Sequence, residues 1–349
     1  AMKPSATPQA PAATDKPLAM LTGTDTPIPL PEGAEFIDFR GADGKLEFTS
    51  NATVAAVAAF YRTAMRPLGW RERPSVINRP NMVVLDFLKG DKTVSVTVMQ
   101  MGTTVNVSAL NGVAIVPMGL DNAVAVVDLI NGTVAKTIPL EANSGATGSA
   151  IVDDSIAYVA NPNLNTVTRV NYLTGDTASV EVGVYPQGVV YTRGRIFVIN
   201  GNLVNFAVAG ESWITVIDPA TNARAPGIDS IGLPGPGNAG LGATVSPDGL
   251  LYVMNTGGYA STDNGRLSVI DPVDRVELGN FGGFGRAPGP ITAITGRVYI
   301  SSYDEGVMTF DSQNSRVLHG AGDGVPVPSN ASVQVDSKGR IYALETGPC

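Results

Sequence analysis

The chain has 349 residues, long enough for more than one hydrophobic core, and a formal net charge of −8 with a pI near 4.7. Charged residues make up only 15% and apolar residues 44%, with 40 Gly and 25 Pro, the balance of a folded chain built from many short strands and tight turns. The acidic balance argues against a general nucleic-acid surface, the single Cys349 and single His319 exclude an internal disulfide, a Cys-based metal site and a multi-histidine centre, and no apolar run reaches the roughly 18 residues of a membrane span.

In chain order, residues 3–32 are rich in Pro, Ala and Thr. Residues 1–32 therefore read as a flexible tether of the kind that follows a removed signal sequence, which places the protein in the periplasm or outside a bacterial cell. Residues 33–109 read as a small α+β domain. Glu35-Phe-Ile-Asp-Phe39 and Lys45-Leu-Glu-Phe48 flank Gly41-Ala-Asp-Gly44 as a hairpin. A helix capped by Ser50 or Asn51 follows, with Val54, Val57, Phe60, Tyr61 and Ala64 at three- and four-residue steps, and Pro67 and Gly69 end it. Trp70 opens an extended stretch, and Met82–Phe87, Val94–Val98 and Thr104–Val107 supply three more strands. The stretch Phe60-Tyr-Arg-Thr-Ala-Met-Arg-Pro-Leu-Gly-Trp70 resembles small bacterial modules with an "FYR…LGW" run, a resemblance that brings no catalytic residue. Arg62, Arg66, Arg71, Arg73 and Arg79 lie close in sequence. They are candidates for an anion or an acidic partner, including the acidic second part of the chain. The plainer account is a solvated helix face.

Residues 110–349 differ in kind. Residues 1–109 carry 11 Lys/Arg and 10 Asp/Glu, whereas 110–349 carry 12 and 21. Four segments repeat one pattern: Tyr158-Val-Ala-Asn161, Phe197-Val-Ile-Asn200, Tyr252-Val-Met-Asn255 and Tyr299-Ile-Ser-Ser302. Each is followed by an alternating strand that ends in Asn171, Asp218, Asp271 or Asp311. A period of about 40–50 residues with several strands per repeat predicts a β-propeller, so the fold class is mainly β, a propeller preceded by a small antiparallel sheet with one helix. Val113-Ala-Ile-Val116 and Val124–Asp128 match a second and third strand, and Ser332–Val335 and Ile341–Leu344 a first and second. This favours six blades and leaves five and seven open, as it does a chain that continues past Cys349. The repeats resemble the YVTN, or YncE-like surface-layer-type, propellers. That resemblance implies a ring of four-stranded antiparallel blades. The missing Asn at Ser302 and insertions at 202–212 and 257–265 depart from it.

The repeated Asn and Asp read first as turn and strand fasteners, because a site would be asymmetric while these recur in every blade. His319 falls on an outer strand and reads as a surface residue. Lactonase-type propeller enzymes hold a central metal with Glu, Asn and Asp, oxygen ligands that suit Ca²⁺. Asn200, Asn255, Asp304 and Glu345 are the candidates near the centre, and Asp263 and Asn264 in the loop 256–264. The loops Leu233-Pro-Gly-Pro-Gly-Asn238 and Arg286-Ala-Pro-Gly-Pro290 lack the Lys-Ser/Thr and following helix of a phosphate loop. The resulting expectation is a non-enzymatic binding or scaffold protein without a cofactor, contacting a protein or glycan through the inserted loops. The alternative is a metal-assisted hydrolase or lyase working at the central mouth.

Overall fold

A computed structural model describes residues 17–21, 28–40, 45–74, 77–89, 92–101, 104–129, 132–153, 155–260, 264–335 and 339–346. The chain divides into two units, Ala1–Ala114 with Val127–Thr133, and Ile115–Val126 with Val134–Cys349.

Alternating apolar residues build one antiparallel sheet in the first unit. Ala34–Arg40 and Lys45–Ser50 pair as the expected hairpin. Its turn, 41–44, lies outside the described residues. Thr104–Asn111, Lys92–Met101, Met82–Lys89 and Arg71–Glu72 continue the sheet in that order, and Ile77–Arg79 also pairs with Met82–Lys89. The helix Val54–Met65 buries Val54, Val57, Phe60, Tyr61 and Ala64 in a core shared with Phe48, Leu85 and Val96. The cap is Thr53, not Ser50 or Asn51. Thr53 has the extended backbone a cap needs, and its hydroxyl accepts the Ala56 amide at 3.1 Å. Ser50 instead accepts from the Ala52 amide at 3.1 Å. Gly69, at φ 85°, closes the turn after Pro67 as expected.

The expected tether departs from its description at residues 17–21 and 28–32. Met20 bridges Pro31, and Ile28 and Leu30 are buried in the same core, with Leu18 and Leu21 packed beside them. A few well-spaced apolar side chains in an extended, proline-flanked strand suffice to dock it. Residues 1–16 and 22–27 lie outside the described residues.

The second unit is a series of antiparallel sheets whose strands follow one another in chain order. Ser149–Ile151, Ile156–Asn161, Thr166–Asn171 and Thr177–Glu181 form one four-stranded sheet. Ala239–Val245 through Val276–Phe281, and Pro288–Ile294 through Arg316–His319, form two more. Between them, Pro186–Thr192, Arg195–Asn200 and Ser212–Asp218 carry a fourth strand broken into Ala223–Arg224 and Ser230–Leu233. Val113–Met118, Ala123–Asp128 and Thr133–Pro139 form a three-stranded sheet, and Asn330–Val335 pairs with Ile341–Glu345.

Burial explains the repeated sequence. The second strands Ile156–Asn161 and Leu251–Asn255 are buried at every residue, because both faces of each sheet meet a neighbouring sheet. Each enclosed Val, Ile or Tyr contributes about 1.5–3 kcal/mol relative to exposure. The outer strand Thr177–Glu181 is largely exposed and correspondingly polar. At the inner strands the sheets meet backbone to backbone. A Cβ on Gly148 would lie 2.3 Å from the Gln187 carbonyl oxygen, and one on Gly242 would lie 2.6 Å from that of Gly289.

The Asn and Asp of the repeat are spent on this framework. Asn161 Nδ2 donates to Thr166 and Thr168 hydroxyls at 3.0 and 2.7 Å. Asn200 donates to the Trp213 carbonyl and the Thr215 hydroxyl, each at 3.0 Å, and accepts the Gly183 amide at 2.9 Å. Asn255 donates to Ser268 at 3.1 Å. A Ser or Thr three residues before the strand-ending Asn or Asp is thus the partner across the pair. The terminal Asn171, Asp271 and Asp311 each accept two amides of the following turn.

Candidate functional site

Strand direction alternates along each sheet, so the loops after second strands and the loops after fourth strands share one end of the unit. Both insertions fall there. In 202–212, Leu203–Val204 and Ala207–Val208 fold back as a miniature hairpin. Phe206 stands at its tip, 80% exposed at φ 62°. Tyr185 is in the neighbouring loop at φ 53°, its ring 6.0 Å from Phe206 in an edge-on contact. Tyr259, at φ 65° and exposed, lies in the second insertion. Burial pushes the Tyr185 phenol up from its ordinary value, and the neighbouring Tyr259 phenol adds to this. Left-handed backbone costs a side-chain-bearing residue about 1–2 kcal/mol, and the turns at the opposite end adopt it as well, at Asn222, Arg275 and Ser315.

Asn238 holds these loops together. It is buried, its amide donates to the Gly201 carbonyl at 2.9 Å, and its carbonyl accepts from Thr256 at 3.2 Å. Its side chain donates to the Gly257 carbonyl and accepts from Gln187, both at 2.9 Å. One residue therefore fixes both insertions relative to the strand that begins with Pro186. Farther along the same end, Arg286 reaches the Tyr259 carbonyl at 3.5 Å and grips Asp304 Oδ2 through Nε at 2.8 Å and a terminal nitrogen at 2.7 Å. Tyr303, 62% exposed, is next in sequence. Tyr303, Asp304 and Glu305 face Pro326, Val327 and Pro328 across an open cleft of about 290 Å³. Glu305 is steadied by the Gly322 amide at 2.7 Å.

The residues singled out from the sequence are dispersed. Asn200 and Asn255 are buried inside sheets; Asn200 spends both ends of its amide there, while Asn255 donates through Nδ2 and its oxygen has no hydrogen-bond partner among the described residues. Asp304 is at the aromatic end, paired with Arg286. Glu345 ends the exposed strand Ile341–Glu345. Asn264 is exposed, and Asp263 lies outside the described residues. Among the described residues no three His, Cys, Asp or Glu side chains gather as a metal-binding group. His319 is on an outer strand, half exposed, 3.1 Å from Asp323. In the first unit Arg62 pairs with Glu72 at 2.9 Å, while Arg66, Arg71, Arg73 and Arg79 are exposed. Tyr185, Phe206, Asn238, Arg286 and Tyr303 were not marked by the repeat pattern. The signal available was an aromatic residue in a polar, glycine-bearing loop.

A family model described as START domain-like matches residues 38–106. No curated protein matches the chain in sequence. Among solved structures, Kuenenia stuttgartiensis hydrazine synthase is similar with a TM-score of 0.53 and 15% identity, over 67% of this chain and 70% of that one. A catalytically inactive virginiamycin B lyase from Staphylococcus aureus, solved with quinupristin, gives 0.50 and 14%, over 94% of this chain and 95% of the other. At these identities the likeness concerns fold alone, and the fold is a β-propeller.

Proposed function

We propose that the chain is a YVTN-like propeller that acts by binding, at the periplasmic or outer face of a bacterial envelope, and that the end carrying both insertions engages a protein or glycan partner. One observation carries this reading. Phe206 in the first insertion stands edge-on to Tyr185 of the neighbouring loop, and Tyr259 in the second insertion lies close to Tyr185, on a scaffold fixed by Asn238. Exposed aromatics held rigidly in Gly-, Ser- and Asn-rich loops are the ingredients of a recognition surface. The alternative, a metal-assisted hydrolase or lyase, has one candidate ligand, Asn200, whose side-chain oxygen is already taken by the Gly183 amide.

The test replaces residues 203–208 with a Gly-Ser linker and, separately, changes Tyr259 to Ala. Retention of envelope components on the immobilised protein should fall in both variants, with an unaltered circular dichroism spectrum and melting midpoint. Undiminished retention by folded variants would sink the assignment of the binding face.

A further inference from the structure

We infer that this end of the propeller recognises a neutral oligosaccharide, an inference that rests on the binding reading above and names its ligand class. The first argument is unspent chemistry. Two buried tyrosines of this unit have committed hydroxyls, Tyr158 to Asn222 at 2.9 Å and Tyr172 to the Asp153 carbonyl at 2.8 Å. Those of Tyr185, Tyr259 and Tyr303 make no hydrogen bond among the described residues. Three phenols, each able to donate and to accept, stand on one end of the unit, that of Tyr185 against the exposed ring of Phe206. A saccharide ring has an apolar C–H face to lie on such a ring and hydroxyls at its edge that donate and accept in turn.

Charge narrows the class. Arg286 is neutralised by Asp304, and the segment 110–349 carries 12 Lys/Arg against 21 Asp/Glu, so a polyanion or acidic peptide would be repelled. Arg286 engages Asp304 through Oδ2 alone, which leaves Oδ1 to accept a ligand hydroxyl. The cleft beside it is lined by Tyr303, Pro326 and Pro328, with Glu305 as a second acceptor. The cleft is open, so it offers a ligand one face of contact rather than an enclosed pocket.

Geometry disfavours the nearest competitor. A proline-rich peptide docks in a groove lined by aromatic rings. Here Tyr185 and Phe206 meet edge-on at 81°, and Tyr303 is followed in sequence by the ion-paired Asp304. A chain of sugar rings alternates apolar faces with hydroxyl edges and matches that interrupted pattern.

Calorimetric titration of the full chain with cellohexaose, maltohexaose, the hexamer of N-acetylglucosamine and a decaproline peptide provides the test. At least one hexasaccharide should bind, equally at low and high salt. Tyr259→Ala and Tyr303→Ala should each weaken it about tenfold, while Val273→Ala, on a turn at the opposite end, should leave it unchanged. Decaproline binding that needs the same tyrosines, with no saccharide bound, would overturn the ligand class and leave the binding face standing. Saccharide binding indifferent to both tyrosines would overturn the site itself. No binding of any hexasaccharide at millimolar concentration would overturn the neutral-glycan inference, with the loop-replacement result deciding the face independently.

Discussion

Two side chains of the repeat show how closely its residues are tied to the framework. Asn200 accepts the buried Gly183 amide and bonds two groups of the next strand. The oxygen of Asn255 has no hydrogen-bond partner among the described residues, and Ser268, the hydroxyl it serves, also receives Asn280 at 3.1 Å. Asn200→Ala should therefore cost about 2–3 kcal/mol, because it strands a buried donor, and Asn255→Ala about 1 kcal/mol. Urea unfolding of the two variants checks the order, and equal costs would contradict the bookkeeping. Asp311 supplies a pH signature. Its carboxyl lies below the usual carboxylate range, first through the Asn314 side chain at 3.0 Å, then against an opposing effect of burial through the Asn314 amide, Arg297 and the Gln313 amide. A carboxyl whose folded value is depressed adds stability that is present above its unfolded value of about 4 and is lost as pH falls through the folded value. Asp311→Asn should thus melt below the parent at neutral pH, with the difference closing on acidification. A gap that stays constant into acid would refute the linkage.

Among elements, the second and third strands were the most legible and the inner strands the least. Tyr-Val-x-Asn followed by Val-Ile-Asp marked strands such as Leu251–Asn255 and Arg266–Asp271, because burial on both faces demands runs of mostly apolar residues. The role of the inner-strand glycines lay outside any local pattern, since the atoms that forbid a side chain belong to another sheet. A Cβ on Gly242 would meet the Gly289 carbonyl oxygen and, at 3.1 Å, the Ile291 amide nitrogen, backbone atoms that cannot rotate aside. Gly232, in the outer strand Ser230–Leu233, has nothing within 4 Å of the same position. Gly242→Ala should cost about 1–3 kcal/mol and Gly232→Ala close to nothing, read from denaturant midpoints. Equal midpoints would mean that the sheets meet elsewhere. The helix cap was misplaced by two or three residues for a related reason. Ser50, Asn51 and Thr53 are all chemically able to cap, and the backbone turn that selects Thr53 is set where the last residue of the hairpin hands over to the helix.

At the scale of the molecule, composition and periodicity were enough for the architecture. Low charge, many Gly and Pro, and a four-times-repeated strand pair admit few arrangements other than small antiparallel sheets packed face to face. That result follows from local physics, because each repeat must bury the same stripe against the next. The docking of Ile28 and Leu30 into the first core was less visible, since two apolar residues among prolines form no periodic signal. The candidate site was legible only as an interruption. Both insertions could be located by their length, whereas their meeting through Asn238, the passage from Tyr259 through Arg286 to Asp304, and the cleft beside Tyr303 depend on residues far apart in the chain. The sequence by itself determined that the second part repeats, that it is acidic, and that its Asn and Asp serve the sheets. Only the tertiary structure decided which end of the sheets collects the irregular loops, because alternating strand direction sends every second connection to the same side and long-range hydrogen bonds then hold the rings in place.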